Sequence, residues 1–284
     1  MRYREIKPKP PLSQFIECFW TLEGQAAAEG GADPILPDGC AEMVLNFSER
    51  FRRQDETGRQ DLQPSRLLVG QITEPMRVAP TGRVEVIGIR FNPGGTRPFF
   101  RFPIQELTNR YSSLDDVDRG LDREVETRLG EVPELDGKLR ALESLLARRV
   151  DDGRDPDPRV SGAVDRILSR NGLVSVDDLA RDADLSARQF ERVFSREVGV
   201  GPKLLCRILR FQQVFRAADF SAGNWAAVAA DCGYYDQSHL IRDFQQFAAS
   251  TPAALVNQPG RLTEFFIRRN RPSLFSNTAL LGPY

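Results

Sequence analysis

The chain has 284 residues, 40% of them apolar and 28% charged, enough for two ordinary domains with separate cores. No apolar run reaches the ~18 residues of a membrane span, and Met1-Arg2-Tyr3-Arg4-Glu5 leads into no apolar signal segment. Net charge is −1, divided as −4 over residues 1–159 and +3 over residues 160–284. Charge alone therefore announces no nucleic-acid binder, and the placement of arginines has to carry that case.

Residues 1–103 read as mostly β. The apolar segment Phe15-Ile16-Glu17-Cys18-Phe19-Trp20-Thr21-Leu22 follows a proline-rich start, and residues 24–33 are small and loop-like. Pro37-Asp38-Gly39 is a turn signal. In Glu42-Met43-Val44-Leu45-Asn46-Phe47, alternation puts Met43, Leu45 and Phe47 on one strand face. Polar residues 48–65 read as a hairpin loop, 67–70 and 76–78 as short strands, and Val84 to Phe91 as the clearest strand, ended by Asn92-Pro93-Gly94-Gly95. Short strands at this spacing suggest a barrel or sandwich.

From Ile104 the pattern becomes helical. Leu114, Val117, Leu121, Val125 and Leu129 share one face behind the N-cap Ser113, and Leu135, Leu139, Leu142, Leu145 and Leu146 share another. The two helices are expected to pack on the β-domain, with a dimer face as the competing reading. Residues 151–158, rich in aspartate, glycine and proline, form the interdomain linker.

Four separated cysteines, Cys18, Cys40, Cys206 and Cys232, read as buried thiols of a reducing compartment. His239 is the single histidine, which removes His-based catalysis and most zinc sites from consideration. No catalytic or metal constellation and no cofactor is expected.

Between residues 175 and 255 one pattern appears twice. Leu179-Ala180, Ala183-Asp184-Leu185-Ser186, Phe190-x-Arg192-x-Phe194 and Gly201-Pro202 are followed by Val228-Ala229, Cys232-Gly233-Tyr234, Asp236, Leu240-x-Arg242-x-Phe244 and Thr251-Pro252. A short helix, a tight turn and a longer helix, repeated, describe two helix-turn-helix units. Ser175, Ser186 and Asp236 are N-caps, and Ser186-x-x-Gln189 is a capping box. Asp184 stands where the second copy has Gly233, in the left-handed position that aspartate visits at modest cost.

In the first unit Arg188, Gln189, Arg192 and Arg196 lie opposite the apolar face; in the second Gln237, Ser238, Arg242 and Gln245 do. Arginine reads guanine and glutamine reads adenine in the major groove. Water-facing side chains would explain one such helix, but two with Arg192 and Arg242 in matching positions favour DNA readers. Residues 202–219 form a rod of roughly 27 Å at ~1.5 Å per residue, placing the units for successive grooves ~34 Å apart. Asp243 beside Arg242 is expected to add negative charge near DNA, which makes the first unit the stronger binder.

With these motifs, and above all Asp236-Gln237-Ser238-His239-Leu240, residues 160–256 resemble the DNA-binding domain of AraC-type transcription regulators. The resemblance implies base or backbone contacts at Arg188, Arg192, Ser238 and Arg242, with Gln189, Gln237 and His239 flanking them. Asp184 departs from the usual turn glycine and Val256 from a common arginine. Residues 12–130 are similar to an N-terminal module of unknown function, through Phe19-Trp20, Leu36-Pro37-Asp38-Gly39 and Val86 to Gly94. Regulators of this type usually carry a cupin-like sensor barrel there.

The expectation is therefore an α+β protein. A β-rich, cupin-like N-terminal domain with helices (1–150) and a linker (151–159) precede an all-α DNA-binding domain (160–258) and a tail (259–284). Its DNA contacts are Ser186, Arg188, Gln189, Arg192, Arg196, Gln237, Ser238, His239 and Arg242. Strand polarity nominates Trp20, Asn46 and Arg90 for an effector pocket. A cytoplasmic bacterial activator is expected, with double-stranded DNA, RNA polymerase, a small-molecule effector and a second copy of the chain as candidate partners, and no membrane. An enzyme or a protein-interaction module in the first half is the competing reading.

Overall fold

The computed structural model describes residues 1–26, 31–55, 57–150, 155–217 and 224–257. Its strands are β1 (Arg2–Ile6), β2 (Ile16–Gln25), β3 (Asp33–Ile35), β4 (Glu42–Asn46), β5 (Arg52–Gln54), β6 (Gln60–Leu62), β7 (Arg66–Val69), β8 (Met76–Ala79), β9 (Arg83–Phe91) and β10 (Tyr111–Ser113). They pair into a six-stranded sheet, β1-β2-β9-β4-β7-β10, and a four-stranded sheet, β3-β8-β5-β6. The first half is β-rich, as its sequence suggests, but as two antiparallel sheets rather than a closed barrel. Strands of three or four residues in the smaller sheet bring its face over the larger one, and no described pairing joins the sheet edges.

Alternation along β9 explains the layers. Ile87, Ile89 and Phe91 point one way with Met43 and Leu45 of β4, into a core closed by α1 (Leu114–Gly130) and α2 (Leu135–Val150). Leu121, Val125, Leu129, Leu139, Leu142, Leu145 and Leu146 belong to that core, so the helix pair packs on its own sheet. Val84 and Val86 point the other way and meet Met76 and Val78 of the smaller sheet. The stretch 48–65 is more than a loop, because β5 and β6 pair across it. Strands β1, β3 and β10 escaped sequence reading. Two are only three residues long, and β1 is an edge strand with three charged residues in five, Arg2-Tyr3-Arg4-Glu5-Ile6.

The remaining helices are α3 (Pro158–Ser169), α4 (Val176–Asp182), α5 (Ala187–Val198), α6 (Pro202–Ala217), α7 (Trp225–Asp231), α8 (Gln237–Ala248) and α9 (Pro252–Asn257). The expected caps are in place: Ser175 accepts from the Asp178 N–H, Ser186 and Gln189 close a capping box, and Asp236 accepts from the His239 N–H. Asp184 holds φ +53° where Gly233 holds +71°, so the turn is left-handed in both copies. Helix α3 starts directly after the linker, where Asp157 caps it and Pro158 opens it. The short α9 was not anticipated.

Two cores build this half. Phe190, Phe194 and Ile167 anchor the first; Phe211, Phe215, Phe244 and Phe247 anchor the second. Helix α6 serves both, giving Leu205 to the first and Ile208, Phe211, Val214 and Phe215 to the second. All four cysteines are buried thiols. Linker residues 151–154 and the tail from 258, with its Phe265-Phe266-Ile267, lie outside the described residues.

Candidate DNA-reading helices and effector cavity

On α5, burial of Phe190, Phe194 and Val198 turns Arg188, Gln189, Arg192 and Arg196 outward, and all four are exposed. Among the described residues none of the three arginines is in an ion pair. Exposed Ser186 begins the row, and its backbone N–H and hydroxyl both donate to Gln189 Oε1, at 3.1 and 2.7 Å. The Gln189 amide oxygen is thus committed to the cap, leaving the amide nitrogen as its outward donor. Arg188 and Arg192 are one turn apart on the helix. Arg196, a further turn on, borders a cleft with Arg97, Arg159, Asp157 and Glu197, beside the N-terminal half.

On α8, Leu240, Phe244 and Phe247 face the core, and Gln237, Ser238 and Arg242 are exposed. Arg242 Nε donates to the Ser238 carbonyl at 3.3 Å. His239 is half-buried, its ring edge-on to Tyr234 with centroids 5.1 Å apart. Asp243 corrects an expectation. It is 1% exposed and accepts from Arg207 of α6 at 2.6 Å, so its charge is neutralised inside rather than presented beside Arg242.

A cavity of about 180 Å³ lies between the two sheets of the first half. Trp20, Asn46 and Arg90 all border it, so the structure gathers the three residues nominated from strand polarity. Their roles differ. Asn46 closes a turn, donating to the Glu49 carbonyl at 2.8 Å and accepting from the Ser48 N–H at 2.9 Å. Trp20 lies across Gly88, its partner on β9; a Cβ there would come within 1.8 Å of the indole, so only glycine leaves room for the ring. Arg90 is 11% exposed, with Nε 2.7 Å from Glu42 and 3.0 Å from Asp38, and Nη1 3.1 Å from Glu5. Burial opposes its charge, but the carboxylates of Glu42 and Asp38 outweigh that and hold the guanidinium more firmly protonated than usual. Glu42 and Arg90 are cross-strand partners on β4 and β9.

The cavity wall is also a joint between halves. Ile35, Leu36, Asp38 and Cys40 border the cavity, yet Leu36 is buried in the second helical core with Phe211 and Phe244. Three residues on, Gly39 (φ +81°) rests against α6, where an added Cβ would lie 3.0 Å from Leu205. Buried Gln71 donates to the Gly39 carbonyl at 2.5 Å and packs under Gly199, the left-handed cap of α5. Thr108 Oγ1 donates to the Gly199 carbonyl at 2.6 Å, and Glu197 accepts from the Asp157 N–H at 3.0 Å. Sequence reading found the Pro-Asp-Gly turn but not its contact with α6, since an apolar residue before a turn looks like any strand end. Gln71 carried no signal at all.

Residues 179–258 match a family described as a helix-turn-helix domain, and residues 4–113 match DUF6597, a domain of unknown function. No curated protein matches the chain. Among solved structures it is similar to ToxT from Vibrio cholerae O395, at 12% identity and a TM-score of 0.43, covering 84% of this chain and 97% of that one. A fatty-acid-bound ToxT from Vibrio cholerae strain SCE256 gives 10% and 0.41, covering 83% and 94%. The AraC-like transcriptional activator CuxR gives 14% and 0.25, covering 74% and 79%. Overlap this loose says nothing about what this chain binds. The helix-turn-helix match, laid on two capped and outward-facing helices, defines a DNA-binding transcription regulator. Residues 4–113, its DUF6597 domain, hold most of the strands, and residues 179–258, its helix-turn-helix domain, hold α5 and α8.

Proposed function

We propose that the protein reads a specific DNA sequence with α5 and α8 in successive major grooves, under control of a small molecule held between the two sheets. The observation that carries the reading is the segment 35–40, which borders the cavity on one side and packs Leu36 into the helical core on the other. An occupant that moves this segment moves α6, the helix that carries both units. Helix α6 spans 16 described residues, about 24 Å at ~1.5 Å per residue, close to the rod length the two-groove reading needs.

In this reading Arg188, Arg192 and Arg242 reach bases, Ser186, Gln189, Gln237, Ser238 and His239 contact base edges or backbone, and Arg196 contacts phosphate or the N-terminal half. The division is 1–150 for sensing, 151–159 for linkage, 160–258 for DNA and 259–284 for the tail. The protein is non-enzymatic, works in the bacterial cytoplasm and acts as an activator through RNA polymerase. Among the described residues no helix is long and apolar enough to cross a membrane. The test is a binding titration at fixed salt against genomic fragments selected by the full-length protein. Arg192→Ala and Arg242→Ala should each weaken binding by ~1–3 kcal/mol. Unchanged affinity in both variants would sink the contact assignment.

A further inference from the structure

We infer that Tyr235 is a further DNA-contacting residue of the second unit, its hydroxyl donating to a backbone phosphate at the rim of the groove that α8 enters. The inference rests on the reading of α8 as a DNA-binding helix and adds a contact made without charge. Among the described residues the exposed large hydrophobic side chains are Leu62, Leu168, Leu173 and Tyr235. The three leucines are between 36% and 52% exposed, and Tyr235 is 93% exposed. A ring so fully in water contributes nothing to the core, and among the described residues it has no hydrogen-bond or ring partner.

The backbone that carries it is fixed on both sides. Gly233 makes the left-handed turn, and Tyr234 points inward, 5% exposed. The Arg210 guanidinium lies over the Tyr234 ring at 5.6 Å, and His239 meets it edge-on. On the other side Asp236 caps α8, accepting from the His239 N–H at 2.7 Å. Two adjacent tyrosines thus divide the work: Tyr234 anchors the turn and Tyr235 is held out. The first unit has no counterpart, since Leu185 packs against its core and the cap, Ser186, follows directly. A tyrosine whose backbone is already ordered has two side-chain torsions left to fix on binding, so the contact costs little entropy.

Position names the partner. Gln237, Ser238 and Arg242 continue from Tyr235 along α8, all exposed. The first residues of a reading helix lie in the groove, so the residue just ahead of its cap meets the strand that borders the groove. Tyrosine hydroxyls are regular donors to phosphate oxygens there. The second unit is also the poorer in charge, with one exposed arginine on α8 against three on α5. A neutral donor to phosphate releases few counterions, so its contribution persists at salt concentrations that erode the arginine contacts.

The experiment uses the full-length protein, the genomic fragments it selects, and the variants Tyr235→Phe, Tyr235→Ala and Arg192→Ala. Titrations should show Tyr235→Phe binding about fivefold more weakly and Tyr235→Ala about tenfold or more, with melting temperatures unchanged. Raising salt from ~50 to ~200 mM should shrink the deficit of Arg192→Ala and leave that of the tyrosine variants in place. Single methylphosphonates scanned along the fragment should find one position that weakens the wild type and leaves Tyr235→Phe unaffected. Wild-type affinity in both tyrosine variants, beside a loss in Arg192→Ala, would overturn the inference and leave the DNA reading standing. Wild-type affinity in all three variants would overturn both. A loss in Tyr235→Ala alone would replace the hydroxyl contact by ring stacking and overturn the inference. Unchanged DNA binding with lost transcription would give the ring to a protein partner and overturn it equally.

Discussion

The two helix-turn-helix units share a plan and differ in what holds them. The first has a full capping box, a left-handed glycine at the end of its long helix, and a docked neighbour. Gly199 receives the Thr108 hydroxyl and lies on Gln71, so the N-terminal half grips the end of α5. The second has a single aspartate cap and ends α8 on Ala249, in the same left-handed conformation at φ +49° without being glycine. No described hydrogen bond or ion pair ties α8 to residues 1–150. Its anchors are the phenylalanine cluster around Phe211, which also takes in Leu36, and the Arg207–Asp243 pair. The first reader is thus tied to the N-terminal half by polar contacts at the end of α5, and the second by apolar packing on α6 and Leu36.

The sharpest way to break this contrast is Arg207→Ala. It strands the Asp243 carboxylate in the core, and removing one member of a buried pair typically costs about 3–5 kcal/mol. Urea unfolding of the full chain should register the loss, and hydrogen exchange should open α8 before α5. An unchanged midpoint would mean that the pair is solvated in solution.

Leu36→Ala comes next. Truncating a fully buried leucine costs about 2–5 kcal/mol, and here the cavity would open between the halves. Full-length DNA affinity should change along with stability. If stability falls while DNA affinity stays intact, the joint is structural and not a signal path.

The contact variants sharpen the comparison at the DNA itself. With Asp243 turned inward, the second unit is less acidic at its surface than its sequence suggests. The first still presents three arginines to the second unit's one, so Arg192→Ala should cost more than Arg242→Ala within the ~1–3 kcal/mol range. A reversed order would put the stronger reader in α8. Smallest of all, Ala249→Gly should stabilise by about 0.5–1 kcal/mol, since glycine relieves the left-handed strain but loosens the unfolded chain. A thermal melt showing no gain would mean the cap is relaxed in solution.

How much of this was legible depended on range. Caps, turns and helical faces are local, so Ser175, Ser186, Asp236 and the left-handed Asp184 could be read from neighbours a few residues away. Strand alternation likewise placed Met43 and Leu45 inside and brought Trp20, Asn46 and Arg90 to one cavity. What escaped were long-range pairs. Asp243 looked exposed because Arg207 lies 36 residues earlier, and Leu36 looked like a strand end because its neighbours are more than 170 residues away. Closure of the barrel failed for a related reason: strand composition reports pairing, not whether the last edge finds the first.

The burial of Leu36 has a practical consequence for dissecting the molecule. A fragment cut at the linker to isolate the helical half would be missing one side chain of its own core. Where that leucine belongs, such a fragment would carry a socket lined by Phe211 and Phe244, open to water or to another molecule's apolar residue. Extending the fragment cannot repair this, because the plug sits near the opposite end of the chain. A synthetic peptide spanning residues 33–42, added in trans, should raise the fragment's melting temperature, and the same peptide carrying Leu36→Ala should not.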